Sequence, residues 1–151
     1  MPSDVSKKLI LERFAPYRLS ILSNRISGII AATYKDRFAL STIEWRIMAV
    51  LGEYPGLSGE EVSVKTQIEK SILSRAIQKL LKRHLVERST DPDDRRRKIL
   101  TLSVLGLDIY SQIVPMSLEY EEKIMACFNQ QERNQFSAYI DRLYAHAKSI
   151  S

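Results

Sequence analysis

The stretch KSILSRAIQKLLKRHLVERSTDPDDRRRKILTL, residues 70–102, changes its periodicity halfway along. In its first half Leu73, Ile77, Leu80 and Leu81 recur at three- and four-residue steps, which predicts a helix over 70–83 with those side chains facing inward. Ser71, Arg75, Gln78 and Lys82 form the opposite stripe, with Ser74 and Lys79 beside it, and no acid interrupts that face. The second half holds two short β-prone runs, 85–89 and 98–102, separated by DPDDRRRK (91–98). Asp91-Pro92 favours a turn, so the two runs read as a hairpin tipped with charge.

The surroundings complete a pattern. Ser58 and Glu61 have capping-box spacing and open a short helix that ends in a turn near Thr66 and Gln67. Before it, Ser41 or Thr42 caps a helix with Ile43, Ile47, Val50 and Leu51 on one face, until EYPG (53–56) stops it. Residues 7–34 place Ile10, Phe14, Tyr17, Ile21, Leu22, Ile26, Ile29 and Ile30 at helical steps, which predicts one long helix bent near Pro16. Downstream, Gly106 opens a helix that runs to about residue 128 and kinks at Pro115. Asn129 with Glu132 caps a last helix, striped by Phe136, Tyr139, Ile140, Leu143 and Tyr144. The fold expected is mainly α: a winged helix-turn-helix over 41–104, with long N- and C-terminal helices (7–40 and 106–147) forming a dimerisation region.

Composition agrees with one folded domain over residues 1–151. Apolar residues make up 44% and charged residues 27%, with no low-complexity tract. The start, MPSDVSKKLILERF, is broken by charge every few positions, unlike a signal peptide. Residues 99–118 carry one charge, Asp108, but polar residues interrupt the run, so buried helix and strand are expected there and no membrane span. The expected location is cytoplasmic. A lone cysteine, Cys127, gives neither a disulfide nor metal spacing and reads as a small core residue. No cofactor is implied.

Net charge is +5, and its location matters more than its size. Between Lys65 and Lys98 there are eleven bases and five acids, so this segment carries +6 and the remainder −1. Such a segment is the footprint of a polyanion partner. A helix fits the major groove of B-DNA, where each base pair shows a distinct set of donors and acceptors. Arg75 and Gln78, one turn apart, suit guanine and adenine edges. Lys70, Ser71, Ser74, Lys79 and Lys82 are better placed for phosphates, which position the helix without reading sequence. Arg95, Arg96 and Arg97 at the hairpin tip reach an adjacent minor groove, with Asp91, Asp93 and Asp94 pairing with them to hold the loop. Double-stranded DNA is therefore the expected partner. RNA is disfavoured, because the narrow major groove of its duplex does not admit a helix.

The order STIEWRIMAVLGEYPGLS, then KLLKRHLVERSTDPDDRRRKILTLSVLG, then a helix opening FNQQER, resembles the MarR family of bacterial transcription regulators over roughly residues 10–147. The most specific part is DPDDRRR followed by LTLSVLG. The resemblance implies that an Asp-x-Arg in the wing, here Asp94 and Arg96, sets its arginine in the minor groove with the aspartate orienting it. It also implies a homodimer, repression of a promoter, and in many members a small phenolic or aromatic effector. Two positions depart from the family pattern: His84 and Gln67 stand where glycine is common, at points where the chain is expected to be left-handed.

Terminal helices of this length carry more apolar surface than a winged helix of some sixty residues can cover, so a symmetric dimer on a palindrome is expected, with half-sites roughly 34 Å apart. An aromatic acid needs an apolar slot and a cationic anchor, for which Tyr17, Arg18, Arg25, Tyr34, Trp45 and Met48 are the candidates. Thiol sensing of the peroxide-responsive kind is disfavoured, since the first helix has no cysteine. No enzyme is expected: His84 and His146 lie far apart in sequence, no nucleophile, zinc or phosphate-loop motif occurs, and Glu60-Glu61 and Glu121-Glu122 read as solvated surface. The alternative from another class is a winged helix that binds an acidic protein, which base-sequence preference would distinguish from a DNA reader.

Overall fold

The computed structural model describes residues 7–151; the first six residues of the charge-broken start lie outside it. The chain divides into two compact units, one ending at Ser117 and the other Leu118–Ser151.

The first unit is built on three helices and a hairpin. Helix α3 (Thr42–Glu53) begins at Ser41, whose hydroxyl accepts the Glu44 N–H at 3.1 Å while the Glu44 carboxylate accepts the Ser41 N–H at 3.0 Å. This reciprocal pair satisfies two helix-end donors. Helix α4 (Gly59–Thr66) starts at Ser58, which accepts the Glu61 N–H at 3.2 Å. Helix α5 (Lys70–Lys82) is the element expected from residue 70 onward. Its end is closed by Leu85 N–H to the Leu80 carbonyl and His84 N–H to the Leu81 carbonyl, both 3.0 Å, with His84 left-handed at φ 56°. Gln67 is left-handed in the same way at the end of α4.

Strands β1 (Val86–Asp91) and β2 (Asp94–Leu102) pair antiparallel, from Val86 opposite Leu102 to Asp91 opposite Asp94. Leu57, between α3 and α4, bridges to Leu100 and ties the root of the hairpin to the helices. Ile47, Met48, Leu51, Val62, Leu73, Ile77, Leu80, Leu85 and Leu100 fill the core. Each contributes about 1.5–3 kcal/mol by leaving water. Tyr34, Leu40, Ile109 and Ile113 enter the same core from the flanking segments. The flanks are thus partly embedded in the winged helix they support.

Several expectations are corrected. Residues 7–34 do not form one bent helix: a short 3-10 turn, Leu11–Arg13, is followed by extended Phe14 and then α1 (Ala15–Ala31). Pro16 starts this helix instead of bending it. The first-turn N–H groups have no intrahelical partner to lose, whereas a helix continued upstream would meet the proline ring. A short helix α2 (Lys35–Phe38) was not foreseen; left-handed Ala39 ends it at φ 51°, and Arg83 donates to the Phe38 and Ala39 carbonyls at 2.7 and 2.9 Å. The strands of the hairpin extend further into the charged stretch than the sequence suggested, leaving only Pro92 and Asp93 between them.

Helix α6 (Val104–Met125) begins two residues before Gly106 and contains Pro115. Ser103 accepts the Gly106 N–H at 2.9 Å and donates to the His84 carbonyl at 2.6 Å. Gly106 serves close packing, because a Cβ there would overlap the Leu85 carbonyl oxygen.

In the second unit, helix α7 (Gln130–Ser149) is capped by Asn129 and Glu132 in a full capping box. Phe128 and Phe136 pack at 5.6 Å between ring centroids, and Arg133 holds Glu122 at 2.8 Å. Tyr139, Ile140, Leu143 and Tyr144 of its stripe are exposed. Cys127 is exposed rather than a core residue, because it lies just beyond the end of α6, short of the α7 cap. Among the described residues no helix is long and apolar enough to cross a membrane.

Candidate nucleic-acid interface

The surface that could meet DNA comprises the outward face of α5 and the hairpin. Leu73, Ala76, Ile77 and Leu80 anchor α5 to the core, and this fixes the opposite stripe toward solvent. Lys70, Ser71, Ser74, Arg75, Gln78, Lys79 and Lys82 are all exposed on it. The Arg75 Nε donates to the Ser71 carbonyl at 3.4 Å, which leaves its terminal nitrogens outward. Gln78, Lys79 and Lys82 make no side-chain hydrogen bond among the described residues, so their donors are available to a ligand.

Sequence reasoning missed an acid at the head of this helix. Glu69 is its N-cap: the carboxylate accepts the Ser71 hydroxyl at 2.5 Å and the Ser71 and Ile72 N–H groups at 3.1 and 3.2 Å. The Ser71 hydroxyl first, then the two N–H groups, hold its carboxyl below the usual glutamate range, and Arg75 adds a smaller push in the same direction. The signal was present in the sequence, since an acid just before an apolar-periodic run is a helix-start residue. Its consequence is that the Ser71 hydroxyl is already committed.

The hairpin separates three arginines that look alike in the sequence. Thr90 pairs with Lys98 and Asp91 with Asp94, so residues 95–97 form a bulge opposite no residue of β1. The carboxylate of Asp91 accepts the Asp93 N–H at 2.9 Å, and that of Asp94 accepts the Arg96 N–H at 3.0 Å, two local turns that shape the tip. Of these three arginines, only Arg97 forms ion pairs among the described residues: with Asp91 at 2.7 Å and with Glu61 of α4. Arg95 and Arg96 are exposed and carry no ion pair there. The expectation that Asp91, Asp93 and Asp94 all pair with the arginines to hold the loop is corrected: only Asp91 pairs with one, while Asp94 shapes the tip through a backbone N–H. Glu61, read as solvated surface, is the second partner of Arg97.

Between α5 and the hairpin lies a hollow of about 460 Å³ with Lys70, Arg88 and Lys98 at its rim and Leu73, Ile77 and Leu100 in its floor. Its three cations link the helix stripe to the wing, with Glu60 of α4 beside them.

The six residues considered for an aromatic effector are not gathered around one opening. Tyr34, Trp45 and Met48 are buried in the core, with the Tyr34 and Trp45 rings stacked at 5.7 Å. Tyr17, Arg18 and Arg25 are exposed or half-exposed along α1. Helical spacing made both groups look alike, because it reports a shared face without saying what covers it.

A family model described as MarR family matches residues 40–97, which hold the three-helix lobe and most of the hairpin. The HTH-type transcriptional regulator BilQ of Clostridium symbiosum is 25% identical over 93 residues, 62% of this chain and 65% of that one. The chain thus spans just under two thirds of this relative. Among solved structures, a MarR-family transcriptional regulator from Silicibacter pomeroyi superposes with a TM-score of 0.78 at 26% identity, covering 93% of this chain and 96% of that one. The MepR–DNA complex of S. aureus superposes with a TM-score of 0.79 over 88% of this chain and 98% of its own, and at 17% identity that likeness is one of fold. The first two of these are described as transcriptional regulators, and the third is bound to DNA.

Proposed function

We propose that this chain is a winged-helix transcription regulator of the MarR type, whose family model matches residues 40–97, and that it acts as a homodimeric repressor occupying a palindromic operator. One observation carries the DNA-reading part: the outward face of α5, with Arg75, Gln78, Lys79 and Lys82 exposed, adjoins a wing whose Arg95 and Arg96 have no ion pair among the described residues. Exposed cations beside a helix sized for the major groove are what a B-DNA reader needs. Arg75 and Gln78 take base edges, and Lys70, Ser74, Lys79 and Lys82 take phosphates. Arg96, with its backbone fixed by Asp94, enters the minor groove, and Arg95 adds charge beside it.

The dimer rests on uncovered apolar surface. Helix α7 buries no side chain, and Leu19, Ile21, Leu22 and Ile29 are exposed on α1, although Ala31 at its end is buried. A patch of this kind on an isolated chain calls for a partner, and a second copy supplies the same surface. Repression follows from occupancy of a promoter, and the site of action is the cytoplasm, where the DNA is. An effector of the aromatic-acid class would act by shifting the two half-sites out of register. The hollow beside α1, about 480 Å³, holds Lys35 and Arg46 as cationic anchors for its carboxylate, with Asp36 also in its lining.

Sedimentation of the protein alone and with its selected duplex tests the arrangement. The reading predicts a dimer in both states and two chains per duplex. A monomer that binds one half-site alone would refute it.

A further inference from the structure

Arg97 differs from its two neighbours in having its guanidinium engaged within the chain. One terminal nitrogen binds Asp91 on β1 at 2.7 Å, and the other binds Glu61 on α4. The Asp91 side chain is only 14% exposed, which limits how far water and salt weaken the pair. Glu61 is itself fixed, because its N–H donates to Ser58 and its carboxylate accepts the Ser58 hydroxyl at 3.1 Å. Arg97 also sits in the bulge, at residues 95–97, which have no partner on β1 although Asp91 and Asp94 pair at the tip itself. Among the described residues, the ion pair that ties this end of the wing to a helix runs through its side chain.

We propose that Arg97 is a positioning residue that clamps the wing tip to α4 through Glu61 and Asp91, and so sets where Arg95 and Arg96 are held. A planar guanidinium with forked donors can bridge two carboxylates in this way, whereas a lysine ammonium is a single point of charge. The clamp itself does not depend on what the wing binds; its effect on DNA rests on the function proposed above. Arg97 then acts through its neighbours and neutralises no phosphate.

The test compares the parent with Arg97→Lys, Arg97→Met, Glu61→Gln and the Arg97→Met/Glu61→Gln double variant, each first checked for folding by circular dichroism. Amide hydrogen exchange of residues 88–98 is measured in the free protein, and binding to the selected duplex is measured across a salt series. Faster wing exchange is expected in all the single variants, with the double variant no faster than Arg97→Met alone. Arg97→Lys, which keeps the charge, is expected to bind roughly three- to tenfold more weakly with the parent's salt slope. Unchanged wing exchange in Arg97→Met and Glu61→Gln overturns the clamp. So does parent-like binding by Arg97→Lys together with a slope smaller by about 0.9 in Arg97→Met, the signature of a direct phosphate contact. If the parent retains no duplex, the DNA reading fails, and the exchange data alone decide the clamp.

Discussion

The carboxylate of Asp94 accepts its hydrogen bond from the backbone N–H of Arg96, at 3.0 Å, and not from the Arg96 guanidinium. The aspartate therefore sets the course of the chain at the tip and leaves the arginine's five donors free. Arg96→Ala is expected to weaken binding to all duplexes and to lower the salt slope by about one unit. Asp94→Ala is expected to weaken binding without lowering that slope, since no cation is lost. Anisotropy titrations at several salt concentrations separate the two, and equal slopes for both variants would show that Arg96 is not at the DNA.

Gln78 stands one turn beyond Arg75 on the exposed face of α5, where an amide can take a bidentate position on adenine. Gln78→Ala should relax preference at a single base-pair position by about 1–3 kcal/mol and leave the salt slope as it was. Competition with single-substituted operators measures this. A uniform loss across all positions would place Gln78 on the backbone instead.

Gly106 packs where a Cβ would overlap the Leu85 carbonyl oxygen. The obstacle is backbone, which cannot rotate away as a side chain would. Gly106→Ala should therefore destabilise the fold by about 1–3 kcal/mol, in the range of overpacked cores. Chemical denaturation gives the value, and an unchanged midpoint would mean that α6 moves aside freely.

Glu69 caps α5 as a carboxylate, and the Ser71 hydroxyl and the Ser71 and Ile72 N–H groups hold its pKa below the ordinary glutamate value. Because the folded value is the lower one, its contribution is complete above the unfolded value and is lost as pH falls through the folded value. Glu69→Ala should lower the melting temperature at neutral pH, and the deficit should shrink once pH drops below the ordinary carboxylate range. A deficit that stayed constant into strong acid would assign the effect to something other than the charge.

Much of this architecture can be read directly from the residues. The change from helical spacing at Leu73, Ile77 and Leu80 to β-prone runs around Asp91-Pro92 marks α5 and the hairpin, and Ser41, Ser58 and Asn129 announce their helices through cap spacing. What stayed hidden depends on contacts between distant segments. The partners of Arg97 come from β1 and α4, the farther of them thirty-six residues from it in the chain. Nothing in RRR distinguishes the third arginine from the first two. Likewise Tyr34 and Tyr17 both lie at helical steps, yet one is sealed in the core and the other is open, because only the fold decides which segment is covered.

The central claim is that this surface reads base sequence as a symmetric pair. Selection of bound duplexes from a random library at about 150 mM salt, followed by sequencing, tests it most directly. The account predicts an enriched palindrome whose half-site centres lie about 10 base pairs apart, or a multiple of that. Retention without any enriched sequence would contradict it.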